Sequence, residues 1–182
     1  KLTNTIVIMT GDNGWPFPRC KANLYDGGAR QPLAVRWPAK CKPGQVCDDF
    51  INLMDLAPTF MEIGGVKPAA GVNGRSFLDV LRSDKSGLVN PARTWVLTGR
   101  ERHVADAREG SLPYPHRALR TADFLYVRNF ASERWPMGSP KFTSRSDLPS
   151  ADALEHNTFV AFADMDASPT KAWLVRQYAE AE

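Results

Sequence analysis

Between residues 12 and 21 the chain sets a carboxylate, a carboxamide and an ammonium in one short stretch: Asp12, Asn13 and Lys21. The adjacent side-chain oxygens of Asp12 and Asn13 suit a hard divalent cation such as calcium or magnesium. Lys21 offers a mobile point charge for an oxyanion. A metal and an ammonium converging on one anion can cleave a sulfate or phosphate ester, because negative charge builds on the non-bridging oxygens and the leaving atom as the bond breaks. Asp-Asn-Gly is also a common turn tripeptide. Taken alone, the pair reads as a metal site or a plain turn, and Lys21 as an anion ligand or a solvated loop lysine.

The elements that must position these residues are legible around them. Thr5-Ile-Val-Ile-Met9 is apolar and β-branched, which predicts a strand buried on both faces of a parallel sheet. Thr10 and Gly11 then turn the chain, so Asp12 and Asn13 stand beyond the strand's carboxyl end, where open α/β sheets bind ligands. Leu33 to Trp37 predicts a second strand, closed by Pro38. From Asp48 to Gly64 the residues Phe50, Leu53, Met54, Ala57, Phe60 and Met61 recur at helical spacing. Pro58 starts or kinks the second part of that helix, and Gly64-Gly65 ends it. Asp55, near a helix start, is expected to be structural. Ser76 caps a short helix over 77–81.

Residues 83–90 read as a linker. Beyond it, 94–97, 117–121 and 124–128 alternate apolar and charged residues, which predicts an antiparallel sheet with one wet face. Residues 135–148 read as an ordered loop, and Ser168-Pro169 opens a final helix with Trp173, Leu174 and Tyr178 on one face. The expected class is α/β, divided at 1–90 and 91–182, the second part a smaller α+β subdomain.

An ordered set of motifs adds a resemblance. Asp12-Asn13-Gly14, Lys21-Ala-Asn-Leu-Tyr25, Gly27-Gly28 and Pro32-Leu-Ala-Val-Arg-Trp-Pro38 are followed by Asp55-Leu-Ala-Pro-Thr59, Gly64-Gly65 and Gly74-Arg-Ser76. The set resembles the sulfatase family of the alkaline phosphatase superfamily. Trp15-Pro-Phe-Pro18, Thr98-Gly-Arg-Glu-Arg-His103, Tyr114-Pro-His-Arg-Ala118 and Glu133-Arg-Trp-Pro136 are similar to its heparan N-sulfatase (sulfamidase) branch. The resemblance implies an alkaline-phosphatase-like mixed sheet with flanking helices. It implies calcium on Asp12 and Asn13, and Lys21 as a catalytic, sulfate-binding residue. It further implies hydrolysis of a sulfate ester or sulfamate on a sugar such as a glycosaminoglycan fragment, in a periplasmic, secreted or lysosomal setting.

Sulfatases attack sulfur with a formylglycine made from the first residue of a Cys/Ser-x-Pro-x-Arg motif. No cysteine or serine of this chain fits: Cys20 precedes Lys-Ala-Asn-Leu, Cys41 precedes Lys-Pro-Gly-Gln and Cys47 precedes Asp-Asp-Phe-Ile. The chain, starting at Lys1, is therefore expected to be the C-terminal portion of an enzyme whose N-terminal half supplies the nucleophile, and to be inactive alone. Two rival readings stand beside this one. Phosphatases and phosphodiesterases of the superfamily typically carry histidine where this chain has Asn13. Imidazole suits zinc or manganese and an amide oxygen suits calcium, so Asn13 favours sulfate. A non-catalytic relative that binds sulfated glycans is the other alternative.

Arg100, Arg102 and His103 follow a predicted strand, where they can grip an acidic sugar or merely form a solvated surface. His116 is the next candidate for substrate binding, and His156 reads as an exposed loop histidine. Trp15 and Trp37 read either as sugar-stacking platforms or, the expectation here, as core or wall residues. A net charge of +3 without an aromatic-interleaved basic stripe gives no sign of nucleic-acid binding. No apolar run approaches membrane-spanning length. The three cysteines lack zinc-site spacing.

Overall fold

A computed structural model describes residues 2–181; Lys1 and Glu182 lie outside the described residues. The chain is a mixed α/β structure with two small sheets, and it divides into two compact units that take turns along the sequence. One gathers Lys1–Thr10, Pro32–Leu97 and Leu119–Phe124, the other Gly11–Gln31, Thr98–Ala118 and Leu125–Glu182. The loop carrying Asp12, Asn13 and Lys21 thus belongs to the same unit as residues 98–118.

In the first unit, β1 (Val7–Thr10) pairs antiparallel with β2 (Leu33–Arg36), Val7 opposite Arg36 and Thr10 opposite Leu33. This corrects the expectation of a parallel strand buried on both faces. A continuous apolar run is buried on both faces only when layers cover both. Here the strand is half of a two-stranded pair, with Val7 45% and Met9 72% exposed. The helix expected from residue 48 begins later, as a 3-10 turn at Leu53–Asp55 leading into α2 (Leu56–Ile63); α1 (Asp26–Ala29) belongs to the second unit. Asn52 sets that start: its side chain accepts from the Met54 amide at 3.1 Å while the Asp55 carboxylate accepts from the Asn52 amide at 3.2 Å. Asp49 is drawn away to the amides of Val89 and Asn90, at 2.9 and 2.8 Å.

Asp55 is structural, as expected. Its buried carboxylate pairs with Arg93 at 2.9 Å and accepts from the Arg75 amide at 2.8 Å. Arg93 spends its other guanidinium nitrogen on the carbonyls of Arg75 and Ser76, at 2.8 and 2.6 Å. Thr59 adds a second buried tie, donating to the Asp55 carbonyl at 2.6 Å and accepting from the Phe77 amide at 3.1 Å. Together these bonds lock α2 to the start of α3 (Leu78–Arg82).

Strands β3 (Trp95–Arg100), β4 (His116–Thr121) and β5 (Leu125–Asn129) form a sheet in that order. Exposure alternates along them: His116 and Ala118 are buried while Arg117 and Leu119 face water. The second unit's core is Leu154, Ala161, Phe162, Ala172 and Val175, supplied by α4 (Ala151–His156), α5 (Pro169–Ala181) and the segment between them. On α5, Lys171, Ala172 and Val175 are buried and Tyr178 packs edge-on against Trp135 and Phe162, whereas Trp173 is 61% exposed, so of the face read from the sequence only Trp173 turns outward. The ammonium of Lys171 is drawn inward by the carbonyls of Thr158 and Met165, at 2.8 and 3.0 Å, and this turns the helix.

Candidate functional site

Residues 11–31 fold back on themselves. The Cys20 amide donates to the Phe17 carbonyl at 3.0 Å, and the Lys21 amide to the Trp15 carbonyl at 2.9 Å, which ties Lys21 to a residue two positions after Asn13. Gly14 makes this closure possible: a Cβ there would overlap the Gly27 carbonyl oxygen and approach Gly28 Cα to 2.6 Å. Arg19 and Ala22, flanking Cys20 and Lys21, hold left-handed backbone at φ +63° and +64°. Each such non-glycine residue costs roughly 1–2 kcal/mol, so the surrounding bonds must impose the shape. Asp12 and Asn13 are exposed at the rim of this loop. Trp15 is 73% exposed, contrary to its expected core or wall position, while Trp37 is buried as expected.

The Lys21 ammonium is not loose. It donates to Asp166, 3.0 Å from Oδ2 and 3.4 Å from Oδ1, with both side chains partly exposed. Asp166 lies in a segment fastened on several sides. The Asp164 amide donates to the Met137 carbonyl at 3.0 Å, the Ala167 amide to Thr158 Oγ1 at 3.2 Å, and Lys171 grips the Met165 carbonyl. Burial pushes the Lys171 pKa down to about 8, with Asp166 opposing the shift.

Two residues before Asp166, the buried carboxylate of Asp164 gathers the next set of polar groups. Arg108 reaches it at 2.8 Å, His103 Nδ1 stands 3.5 Å away, Arg100 lies at 4.0 Å, and the Val104 amide donates at 3.1 Å. Both guanidinium groups also lie over the Tyr114 ring, at 5.9 Å for Arg100 and 5.3 Å for Arg108. Arg100 is turned inward, donating to the carbonyls of Ala22 and Pro136. Its pKa is lowered by burial, with Asp164 working against the shift.

The structure therefore divides the sequence candidates. Asp12, Asn13 and Arg102 are exposed, and Lys21 and His103 are each partly exposed and held by an aspartate. Arg100 sits behind His103 on the same carboxylate. His116 is buried at 5% exposure, edge-on to Tyr114 with ring centroids 5.5 Å apart. Burial and the nearby Arg100, Arg117 and Arg108 push its pKa down to about 4. His156 lies on the surface beside Asp152, exposed as expected but at the end of α4 rather than in a loop.

Sequence reasoning passed over Asp164, Asp166 and Arg108, and read Tyr114 only as part of a motif. Their signal was a pair of carboxylates two apart in Asp164-Met-Asp166, with no helical or strand pattern of their own. Such acids invite a search for cations elsewhere in the chain.

A family profile described as N-sulphoglucosamine sulphohydrolase, C-terminal, matches residues 11–95. An ulvan-active sulfatase of Formosa agariphila is 32% identical over 133 residues, 73% of this chain and 20% of that protein. Human N-sulphoglucosamine sulphohydrolase is 33% identical over 139 residues, 70% of this chain and 25% of that protein. The chain belongs to the sulfatase family. Its backbone agrees with a solved structure of a protein in complex with its substrate D-glucosamine-2-N,6-O-disulfate, at a TM-score of 0.51 and 19% identity, over 72% of this chain and 28% of that one. That likeness supports the alkaline-phosphatase-like fold. The sulfatase chain described here spans about a fifth to a quarter of the length of these curated relatives.

The donor set of the loop fits a hard cation. Asp12 and Asn13 present two oxygen ligands side by side, where such an ion takes about six to eight. Among the described residues no group of three or more His, Cys, Asp or Glu could hold a metal ion.

Proposed function

We propose that the enzyme carrying this chain is a sulfatase that hydrolyses a sulfate ester or sulfamate on a sugar, such as a glycosaminoglycan fragment. The observation that carries this reading is the closed loop at 11–31, which presents two exposed oxygen donors and a lysine held by a carboxylate within one compact unit. Asp12 and Asn13 would hold calcium through their side-chain oxygens, and the ion would supply neutralisation of charge on the sulfuryl oxygens. Lys21 donates to the same oxygens or to the leaving atom, where charge grows as the bond to sulfur breaks. His103, oriented by Asp164, and the exposed Arg102 face the sugar. Arg100 braces that edge from behind, and His116 supports it from inside. The nucleophile, a formylglycine, comes from an N-terminal half, so the chain by itself is inactive. The names of the relatives, which include an N-sulfatase and an N-acetylglucosamine-6-O-sulfatase of Bacteroides thetaiotaomicron, support a sugar substrate.

The test uses the full-length enzyme on paired aryl sulfate and aryl phosphate esters, with Lys21→Ala alongside. Sulfate release should dominate, and Lys21→Ala should lower turnover by roughly 100- to 1,000-fold while sparing the fold. Preferential phosphate release would overturn the substrate assignment. Wild-type turnover in Lys21→Ala would overturn the role of the lysine.

A further inference from the structure

Lysine is a poor choice for a fixed electrostatic device unless something fixes it. Its ammonium rides on a flexible four-carbon stem with several rotatable bonds, and catalysis by a preorganised charge requires that the charge be in place before the reaction begins. Lys21 extends from a loop, and its side chain is 32% exposed. What restrains it is Asp166, 145 residues further along the chain, which receives the ammonium with both carboxylate oxygens.

We propose that Asp166 is the positioning residue for Lys21, aiming its ammonium at the scissile sulfuryl group; the proposal rests on the sulfatase reading above. Three features of the surroundings separate this pair from a chance surface contact. The carboxylate is carried by a segment whose backbone is tied to Met137, Thr158 and, through the buried Lys171, to the Met165 carbonyl one residue away. Asp166 therefore has little freedom to follow Lys21, so the lysine conforms to the aspartate. The loop on the other side is equally determined, with left-handed residues at 19 and 22 and the Gly14 closure. An ammonium has three donors, and the Asp166 pairing leaves at least one of them for an incoming anion. The 164–166 segment thus serves two side chains at once. Asp164 orients His103 from inside, and Asp166 orients Lys21 at the surface.

The experiment is a double-mutant cycle in the full-length enzyme: Asp166→Asn, Lys21→Ala and the two combined, with Asp166→Glu as the conservative variant. Asp166→Asn should reduce kcat/KM by roughly 10- to 100-fold, mostly in kcat, with a nearly unchanged unfolding temperature, because a partly exposed pair contributes little to stability. Added to Lys21→Ala, it should cost nothing further, because a residue acting through Lys21 has nothing left to position. Asp166→Glu should recover part of the activity. If the losses multiply in the double variant, or if Asp166→Asn keeps wild-type kcat, Asp166 does not act through Lys21 and the inference falls. If Lys21→Ala alone retains wild-type activity, the sulfatase role of the lysine falls first.

Discussion

His116 offers the sharpest physical test of the second unit. Its ring is buried against Tyr114, its Nε2 atom has no hydrogen-bond partner, and three guanidinium groups surround it against the single opposing charge of Asp164. A proton added there would place another cation in a site already rich in them, so the folded pKa falls to about 4. In the unfolded chain the same ring titrates near 6.5. Above pH 6.5 neither state carries the proton and stability is complete. As pH falls below 6.5 the unfolded chain takes up a proton that the folded chain refuses. Stability then drains away until about pH 4, where the folded ring also protonates. This amounts to about 2 kcal/mol lost by pH 5 and about 3 kcal/mol over the whole interval. The perturbation is His116→Gln, which removes the titration while keeping a polar side chain of similar reach. Urea unfolding of the full-length enzyme at pH 7 and pH 5 supplies the readout, with each protein compared with itself. Carboxylates elsewhere contribute equally to both proteins and cancel. Wild type should lose about 2 kcal/mol more than the variant between these pH values. Equal losses, or a His116 ring found titrating near its ordinary value, would refute the argument.

Two further outcomes follow from contacts already described. Asp55→Asn leaves the Arg93 guanidinium buried without its counter-ion, and should cost about 3–5 kcal/mol in unfolding experiments; a loss below about 1 kcal/mol would mean that the carbonyls of Arg75 and Ser76 suffice for that charge. Gly14→Ala puts a methyl group where the Gly27 carbonyl stands, so the 11–31 loop must shift and the Asp12–Asn13 oxygens with it. Calcium affinity of the full-length enzyme, measured by titration calorimetry, should fall at least tenfold, which is about 1.4 kcal/mol. Unchanged affinity would detach these oxygens from the metal.

What could be read in the sequence follows a physical divide between local and distant causes. The second strand, the Gly64-Gly65 stop, the Ser168 cap and the alternation of the three-stranded sheet are decided by residues within a few positions of one another, and the structure has them where the pattern put them. The burial of β1 depends on what covers it, which its own apolar residues do not encode. The α5 face was legible only in part, for a related reason. Periodicity counts Lys171 as polar and outward, but two carbonyls from 158 and 165 provide acceptors that make its burial tolerable.

The candidate site divides along the same line. Asp12, Asn13 and Lys21 stand close in sequence, so their shared chemistry is visible as spacing. The carboxylates that hold the cations in place lie 145 residues from Lys21 and about 60 from His103 and Arg108. An acid that restrains a lysine need satisfy only geometry, not spacing, and any exposed Asp in the chain is an equal candidate until the backbone is known. Groups that touch a substrate are constrained by its chemistry and leave a motif; groups that aim them are constrained only by the fold. A search for positioning residues in related chains should therefore begin from each buried or fastened carboxylate and ask which cation it holds.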